Sequence, residues 1–248
     1  MKTLESNHAD LMSRCRSYIS SAHHTPKNEQ KIYPSITLSR QSGAGGFAIG
    51  QELAARLNKL RKPEEPVWTL FDKNLVQQII ADHHLPKSLE HFYSEGVKSR
   101  LEDMVEEILD LHPETEQMIE QSCRTVIRLL RKGHVIIIGR GGNIIGQDFD
   151  TVTHVRLVAS HNFRLQHTVQ TCGLSPGEAE AFIGRADAGR AKYLKRYFGK
   201  DIEDPLLYDM VLNTESLGFE ESIRVIADAM MHQQRRPQHA LTANVFQA

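Results

Sequence analysis

Cysteine is scarce in this chain, with three in 248 residues, at Cys15, Cys123 and Cys172. They are far apart, odd in number and without C-x-x-C spacing, which argues against a disulfide framework and fits a reducing compartment. Aromatic residues are few, at 6%, too sparse for a platform on which single-stranded nucleic acid would stack. Charge of one sign is lacking as well: 30 Lys and Arg against 31 Asp and Glu leave a formal net charge of -1, so no overall field draws the protein to nucleic acid or an anionic membrane. No run of roughly eighteen apolar residues offers a bilayer span, and the first residues carry no apolar stretch resembling a signal peptide. His23-His24 and His83-His84 are adjacent rather than three or four apart, and neither H-E-x-x-H nor G-x-S-x-G occurs. The expectation is a cytoplasmic protein with structural cysteines, solvated histidines, and neither nucleic acid nor membrane as partner.

What the chain does have is 40% apolar residues, enough for one sizeable domain or two small ones. Five short apolar runs alternate with helical patterns: Ile36 to Ser39, Val67 to Phe71, His134 to Ile138, Thr153 to Val158, and Met210 to Leu212 running into Asn213. Such alternation predicts βαβ units and a parallel sheet. Val135 to Ile138 is continuously apolar, as a strand buried on both faces requires.

The first run leads into Ser39-Arg40-Gln41-Ser42-Gly43-Ala44-Gly45-Gly46 and directly into a helical pattern. Glycines let the main chain turn tightly and bring bare N–H groups to an anion, while the helix start adds orphan donors and partial positive charge. That is a phosphate cradle, made by Ser42, Gly43, Ala44, Gly45, Gly46 and Phe47. The Walker pattern G-x-x-x-x-G-K-[ST] is incomplete here, because Arg40 stands at its first glycine, Gly46 at its lysine, and no hydroxyl follows. Along the helix, Ile49, Leu53, Leu57 and Leu60 form one stripe that should face the sheet. The third strand ends in a second turn, Gly139-Arg140-Gly141-Gly142-Asn143. Ligands collect at the carboxyl ends of parallel strands, so two glycine turns there point to one crevice.

Residues 73–132 are too long for one crossover and read as several helices, with residues 73–114 an insertion that shapes a pocket. The acidic run from Leu101 to Leu111 is a solvated face. After a helix from His161 to Cys172, Ser175-Pro176-Gly177-Glu178 is a capping-box start for another helix, expected to end near Gly184. A basic segment follows over residues 184–203, with Arg185, Arg190, Lys192, Lys195, Arg196 and Lys200. It reads either as a solvated helix with local ion pairs or as a lid whose cations close over phosphates. Residues 1–34 form a helix-like extension and linker, docked on its own domain or serving dimerisation. Residues 35–232 form the main domain and residues 233–248 a tail.

The stretches S-R-Q-S-G-A-G-G from Ser39, F-D-K-N-L from Phe71, I-I-I-G-R-G-G from Ile136, V-R-L-V-A from Val155 and R-Y-F-G-K-D-I-E-D-P-L-L-Y-D-M-V-L-N-T from Arg196 resemble, in order and spacing, the cytidylate kinase-like branch of the P-loop nucleoside monophosphate kinases. The resemblance covers roughly residues 35–230 and implies an α/β fold, a five-stranded parallel sheet with a phosphate loop, an inserted monophosphate region and a mobile lid. It implies transfer of the γ-phosphoryl group of ATP to a nucleoside monophosphate, with Mg²⁺ bridging phosphates. Asp72 and Arg140 would hold the acceptor; Asp187 and Arg190 match the lid's D-x-x-R, the aspartate on the acceptor and the arginine on phosphates. Cytidylate kinases carry S-G-A-G-K-[GS]-T and G-R-D where this chain has Ser42 to Ala48 and Gly139-Arg140-Gly141. The missing lysine leaves Arg40, Arg190, Lys195 and Arg196 as the available catalytic cations. Loss of one preorganised positive group costs on the order of a hundredfold in rate, about 3 kcal/mol, so turnover should be slow. A lysine restored at Gly46 is expected to raise ATP affinity.

Two other readings stand beside this one. A nucleotide-binding pseudokinase with a regulatory role would bind ATP without transferring phosphate. A dinucleotide-binding oxidoreductase is suggested by Gly43-x-Gly45-x-x-Ala48, but that fingerprint wants an acid about twenty residues on, and Asp72 falls 29 positions after Gly43.

Overall fold

The strand Val135–Ile138 (β3) is buried at every position, and in the computed structural model it lies where that pattern demands, between two neighbours in a parallel sheet. The structure describes residues 33–72 and 116–233. The expected N-terminal helix, the pocket-shaping insertion with its acidic run, Cys15, both histidine pairs and the C-terminal tail lie outside the described residues.

The other strands are Ser35–Arg40 (β1), Thr69–Phe71 (β2), Val152–Val158 (β4) and Met210–Asn213 (β5). All five are parallel in the order β2-β3-β1-β4-β5, so the expected five-stranded α/β sheet is the observed one. Thr37 registers with Ile137, and Ile137 with Phe71, so the ends of β1, β2 and β3 reach one edge together.

Two helical layers cover the sheet. Gly46–Leu60 (α1) and Phe219–Gln233 (α7) cover one face, where Ile49, Leu53 and Leu57 meet Ile36, Leu38, Val155, Ile223 and Ile226. Glu116–Lys132 (α2) and Gly142–Ile145 (α3) lie on the other, with Val126, Ile127 and Leu130 against Ile137 and Phe71. His161–Cys172 (α4) and Pro176–Phe198 (α5) pack on each other through Leu165, Phe182, Ile183 and Ala186. The short Thr214–Leu217 (α6) follows β5.

Most strand ends fall within one residue of expectation, and two boundaries differ by more. β2 begins at Thr69 because Asn58 accepts from the Trp68 N–H (2.8 Å) and donates to the Trp68 carbonyl (3.0 Å), standing in for a neighbouring strand. The helix begun by the Ser175 capping box does not end at Gly184 but runs on to Phe198, closing at a left-handed Gly199. Gly184 lies on the exposed side with nothing within 4 Å of where a Cβ would stand, so it lowers helix propensity without forcing a turn. The basic segment up to Phe198 is therefore the second half of one 23-residue helix, with Lys200 just past its end, and Leu194, Tyr197 and Phe198 are part of the core under α2.

Gly184→Ala should stabilise the protein by about 0.5–1 kcal/mol, since it adds helix propensity and meets no neighbour. Gly43→Ala should destabilise it by at least about 2 kcal/mol, because Gly43 has φ +80 and its Cβ would overlap the Arg164 carbonyl and the Thr168 hydroxyl. Urea unfolding midpoints of the two variants should move in opposite directions.

Candidate functional site

The turn after β1 is a ring of main-chain groups whose polarity is set from outside. Gln41 N–H still pairs with the Leu157 carbonyl (3.0 Å), and Ala44 N–H folds back on the Gln41 carbonyl (3.2 Å). The Ser42 carbonyl accepts from Arg164 (3.2 Å) and the Ala44 carbonyl from the Thr214 hydroxyl (3.0 Å). Two of the turn's carbonyls are thus held by α4 and α6. Gly43 and Gly45 both have φ of 80; the Phe219 ring fills the space a Gly45 side chain would need. Gly45 also caps α1 and has no side chain to offer its N–H groups, the first helical bond being Ile49 N–H to the Gly45 carbonyl (2.9 Å). An anion at this end of α1 would meet orphan donors and the helix dipole.

α5 meets this turn directly. Asp187 Oδ1 accepts from the Ser42 N–H at 2.8 Å and from Arg190 at 2.6 Å, and Oδ2 accepts from Arg164 at 2.7 Å. Arg190 also donates to the Ser42 hydroxyl. Burial pushes the Asp187 carboxyl up, but the Arg190 charge, the Ser42 N–H and Arg164 outweigh it, and the group is held below the usual aspartate range. The two segments singled out by the sequence, the glycine turn and the D-x-x-R of the basic helix, therefore touch.

Arg40 is half-buried and lies between the two glycine turns: a Cβ at Gly46 would stand 2.9 Å from Arg40 Cγ, and one at Gly139 would stand 2.8 Å from Arg40 Nη1. The lysine that the sequence reading restores at Gly46 would thus collide with Arg40 at its first carbon, and Arg40 fills the space beside the loop that a lysine stem would enter. The second turn holds Gly139, Arg140 and Gly141 in succession in the left-handed region, at φ 77, 55 and 64. For Arg140 that conformation costs roughly 1–2 kcal/mol, and its side chain is buried. Asp72 follows β2 at the same sheet edge, two strands from β1, or about 10 Å at ordinary strand spacing.

The other expected site residues lie elsewhere. Phe47 packs its ring into the core shared by α1 and α7, so only its main chain serves the turn. Lys195 and Arg196 are exposed; the Arg196 guanidinium sits 5.5 Å from the Tyr197 ring. Five and six residues beyond Arg190, Lys195 and Arg196 lie roughly 120–140° around the helix from it and about 8–9 Å further along, so neither shares Arg190's approach to the loop in this structure.

Arg164 was missed by sequence reasoning. It is 8% exposed, and it lies on one side of α4 with the buried Thr168 and Cys172. An arginine on a buried i, i+4, i+8 stripe is the signal that could have found it. Arg156 was missed too: it is 3% exposed, donates to the Ser39 hydroxyl at 3.0 Å and pairs with Glu203, tying the last turns of β1 to the chain after α5.

Because the Asp187 carboxyl is depressed in the folded protein, its contribution to stability is complete above the unfolded aspartate range and is lost as pH falls through the folded value. Wild type should therefore lose stability relative to Asp187→Asn as pH drops below about 4, while the difference stays constant near neutrality; urea midpoints from pH 3 to 7 measure this.

The sequence pattern described as the cytidylate kinase-like family matches residues 35–216. The chain is 30% identical over 125 residues to a cytidylate kinase of Thermococcus kodakarensis and 26% identical over 123 residues to one of Pyrococcus horikoshii. Each match takes in 50% of this chain and spans only 62% of the relative's length. In fold, the chain is similar to an uncharacterized protein from Eubacterium ventriosum, with a TM-score of 0.57 and 14% identity over 80% of this chain and 98% of that one. With the family pattern running from the first residue of β1 past the last of β5, this chain belongs to the cytidylate kinase-like family.

Proposed function

We propose that this protein phosphorylates a nucleoside monophosphate, or a related small acceptor, at the expense of ATP. The observation that carries the reading is the meeting of the glycine turn with α5, where Ser42 is held by both Asp187 and Arg190. A polyphosphate at the start of α1 would lie within reach of main-chain N–H groups, Arg190 and Arg40, the donor set that phosphoryl transfer needs.

In this mechanism the turn from Ser42 to Gly46 and the Phe47 N–H orient the triphosphate. Arg140 and Asp72, at the same sheet edge, hold the acceptor with its phosphate oxygen in line with the γ-phosphorus. That oxygen is already a competent nucleophile, so positioning and charge neutralisation dominate and no protein base is required. The P–O bond to the β-phosphate breaks as the new P–O bond forms, leaving ADP and the diphosphorylated acceptor. In this structure Asp187 is bonded to Ser42 and two arginines and Ala48 offers no hydroxyl, so the side chains at the turn do not by themselves fit Mg²⁺, which would come in with the phosphates. A Mg²⁺ bound with the triphosphate would supply neutralisation of phosphate charge.

The test is ATP consumption against a panel of cytidine, uridine, adenosine and guanosine monophosphates and their deoxy forms. Turnover with one class of acceptor is expected; calorimetric ATP binding with no transfer to any acceptor would replace this reading by the pseudokinase one. Arg190→Ala should lower kcat by about a hundredfold while Arg164 still neutralises Asp187, and an unaltered rate would remove Arg190 from the mechanism.

A further inference from the structure

The Ser42 N–H belongs to the turn that the proposed function assigns to phosphate, yet here it is bound to a carboxylate oxygen of this same chain. Asp187 Oδ1 receives one main-chain N–H and one guanidinium, and Oδ2 receives a second guanidinium. Those are the donors that a phosphate oxygen takes at a glycine turn. The carboxylate sits in the place of an anion the site is built to accept.

Arg164 is the other half of this arrangement. It is 8% exposed, its Nη1 divides between the Ser42 carbonyl and Asp187, and its buried Nε has no partner among the described residues. Its main chain is fixed where α4 lies against Gly43 and the Thr168 hydroxyl donates to the Arg164 carbonyl at 2.7 Å, and its guanidinium is held by the Ser42 carbonyl and Asp187. A guanidinium fixed this firmly beside the turn is preorganised to receive a planar or tetrahedral anion through two N–H groups. A triphosphate is the stronger partner for it than one carboxylate, since it brings more charge and more acceptor oxygens.

We infer that Arg164 is a phosphate-binding residue of this site and that Asp187 holds its place until a nucleotide phosphate displaces the carboxylate from both Ser42 and Arg164. This rests on the reading of the glycine turn as a nucleotide site. Exchange of one anion for another releases the Asp187 side chain from the turn, so nucleotide binding removes one tie between the loop and α5, whose Ile183 and Ala186 stay packed on α4. Asp187 then opposes nucleotide binding, the reverse of what an acceptor-contacting aspartate would do for overall affinity.

The experiment is calorimetric titration of ATP and of inorganic tripolyphosphate into wild type, Asp187→Asn and Arg164→Gln in phosphate-free buffer, with thermal unfolding as the check on folding. Asp187→Asn should bind both ligands on the order of tenfold more tightly, because the competing charge is gone; Arg164→Gln should bind at least tenfold more weakly. A purely structural Asp187–Arg164 pair would lower the thermal transition of Asp187→Asn without raising affinity, and that result overturns the inference. Unchanged affinity in a folded Arg164→Gln overturns it as well. Should Arg164→Gln not fold, Asp187→Asn alone decides. If wild type binds neither ligand, the inference and the nucleotide reading fall together. If wild type turns over ATP and Asp187→Asn gains no affinity, only the inference falls. Tighter binding by Asp187→Asn without transfer to any monophosphate keeps the inference and removes the transferase.

Discussion

A tight turn of the main chain has carbonyls and amides in equal supply, and it can serve an anion only when the carbonyls are occupied elsewhere. In this protein Arg164 takes the Ser42 carbonyl and Thr214 the Ala44 carbonyl, so α4 and α6 decide which way the turn faces. The close approach of α4 to Gly43 and of Phe219 to Gly45 follows from the same requirement, since a side chain at either glycine would drive those neighbours off. The parallel sheet delivers the turn to the edge where β2 and β3 also end, and β4 and β5 deliver α4 and α6. The fold serves mainly to orient a few peptide groups.

α5 links that turn to the core. Its middle carries Asp187 and Arg190, and its end buries Leu194, Tyr197 and Phe198 beneath α2. A helix of 23 residues is roughly 34 Å long and resists bending. With its end embedded in the core, any displacement of its middle would pivot about that end. The continuous helix also explains why the cations at Lys195 and Arg196 do not reach the turn: they sit near the fixed end, on another side.

Strand positions and order of elements were legible because apolar runs alternate with amphipathic helices, and the two glycine turns stood out because little else tolerates the left-handed conformations they adopt. That the basic helix and the glycine turn share one end of the sheet was legible from their places after β4 and β1; that Asp187 binds the Ser42 N–H was not, since the resemblance put it on the acceptor. Arg164 was not, because an arginine in a surface-like helix reads as solvated unless the helix is known to lie under a loop. The run of α5 through Gly184 was missed since a glycine after a helical pattern resembles a stop, and only its unstrained setting in the helix shows otherwise. Arg40 was chosen as a nearby cation, but its lying over Gly46 is a matter of side-chain direction that no spacing reveals.

The one tryptophan of the chain, Trp68, is 3% exposed, stacks on the His134 ring at 4.7 Å, and stands just before the first residue of β2. It is thus at the amino end of the sheet, while the glycine turns open at the carboxyl end. Its emission depends on the stack with His134 and on the Asn58 clasp, both of which vanish when the sheet comes apart. Intrinsic indole fluorescence in this protein is accordingly a gauge of unfolding, reporting from the end of the sheet opposite the glycine turns.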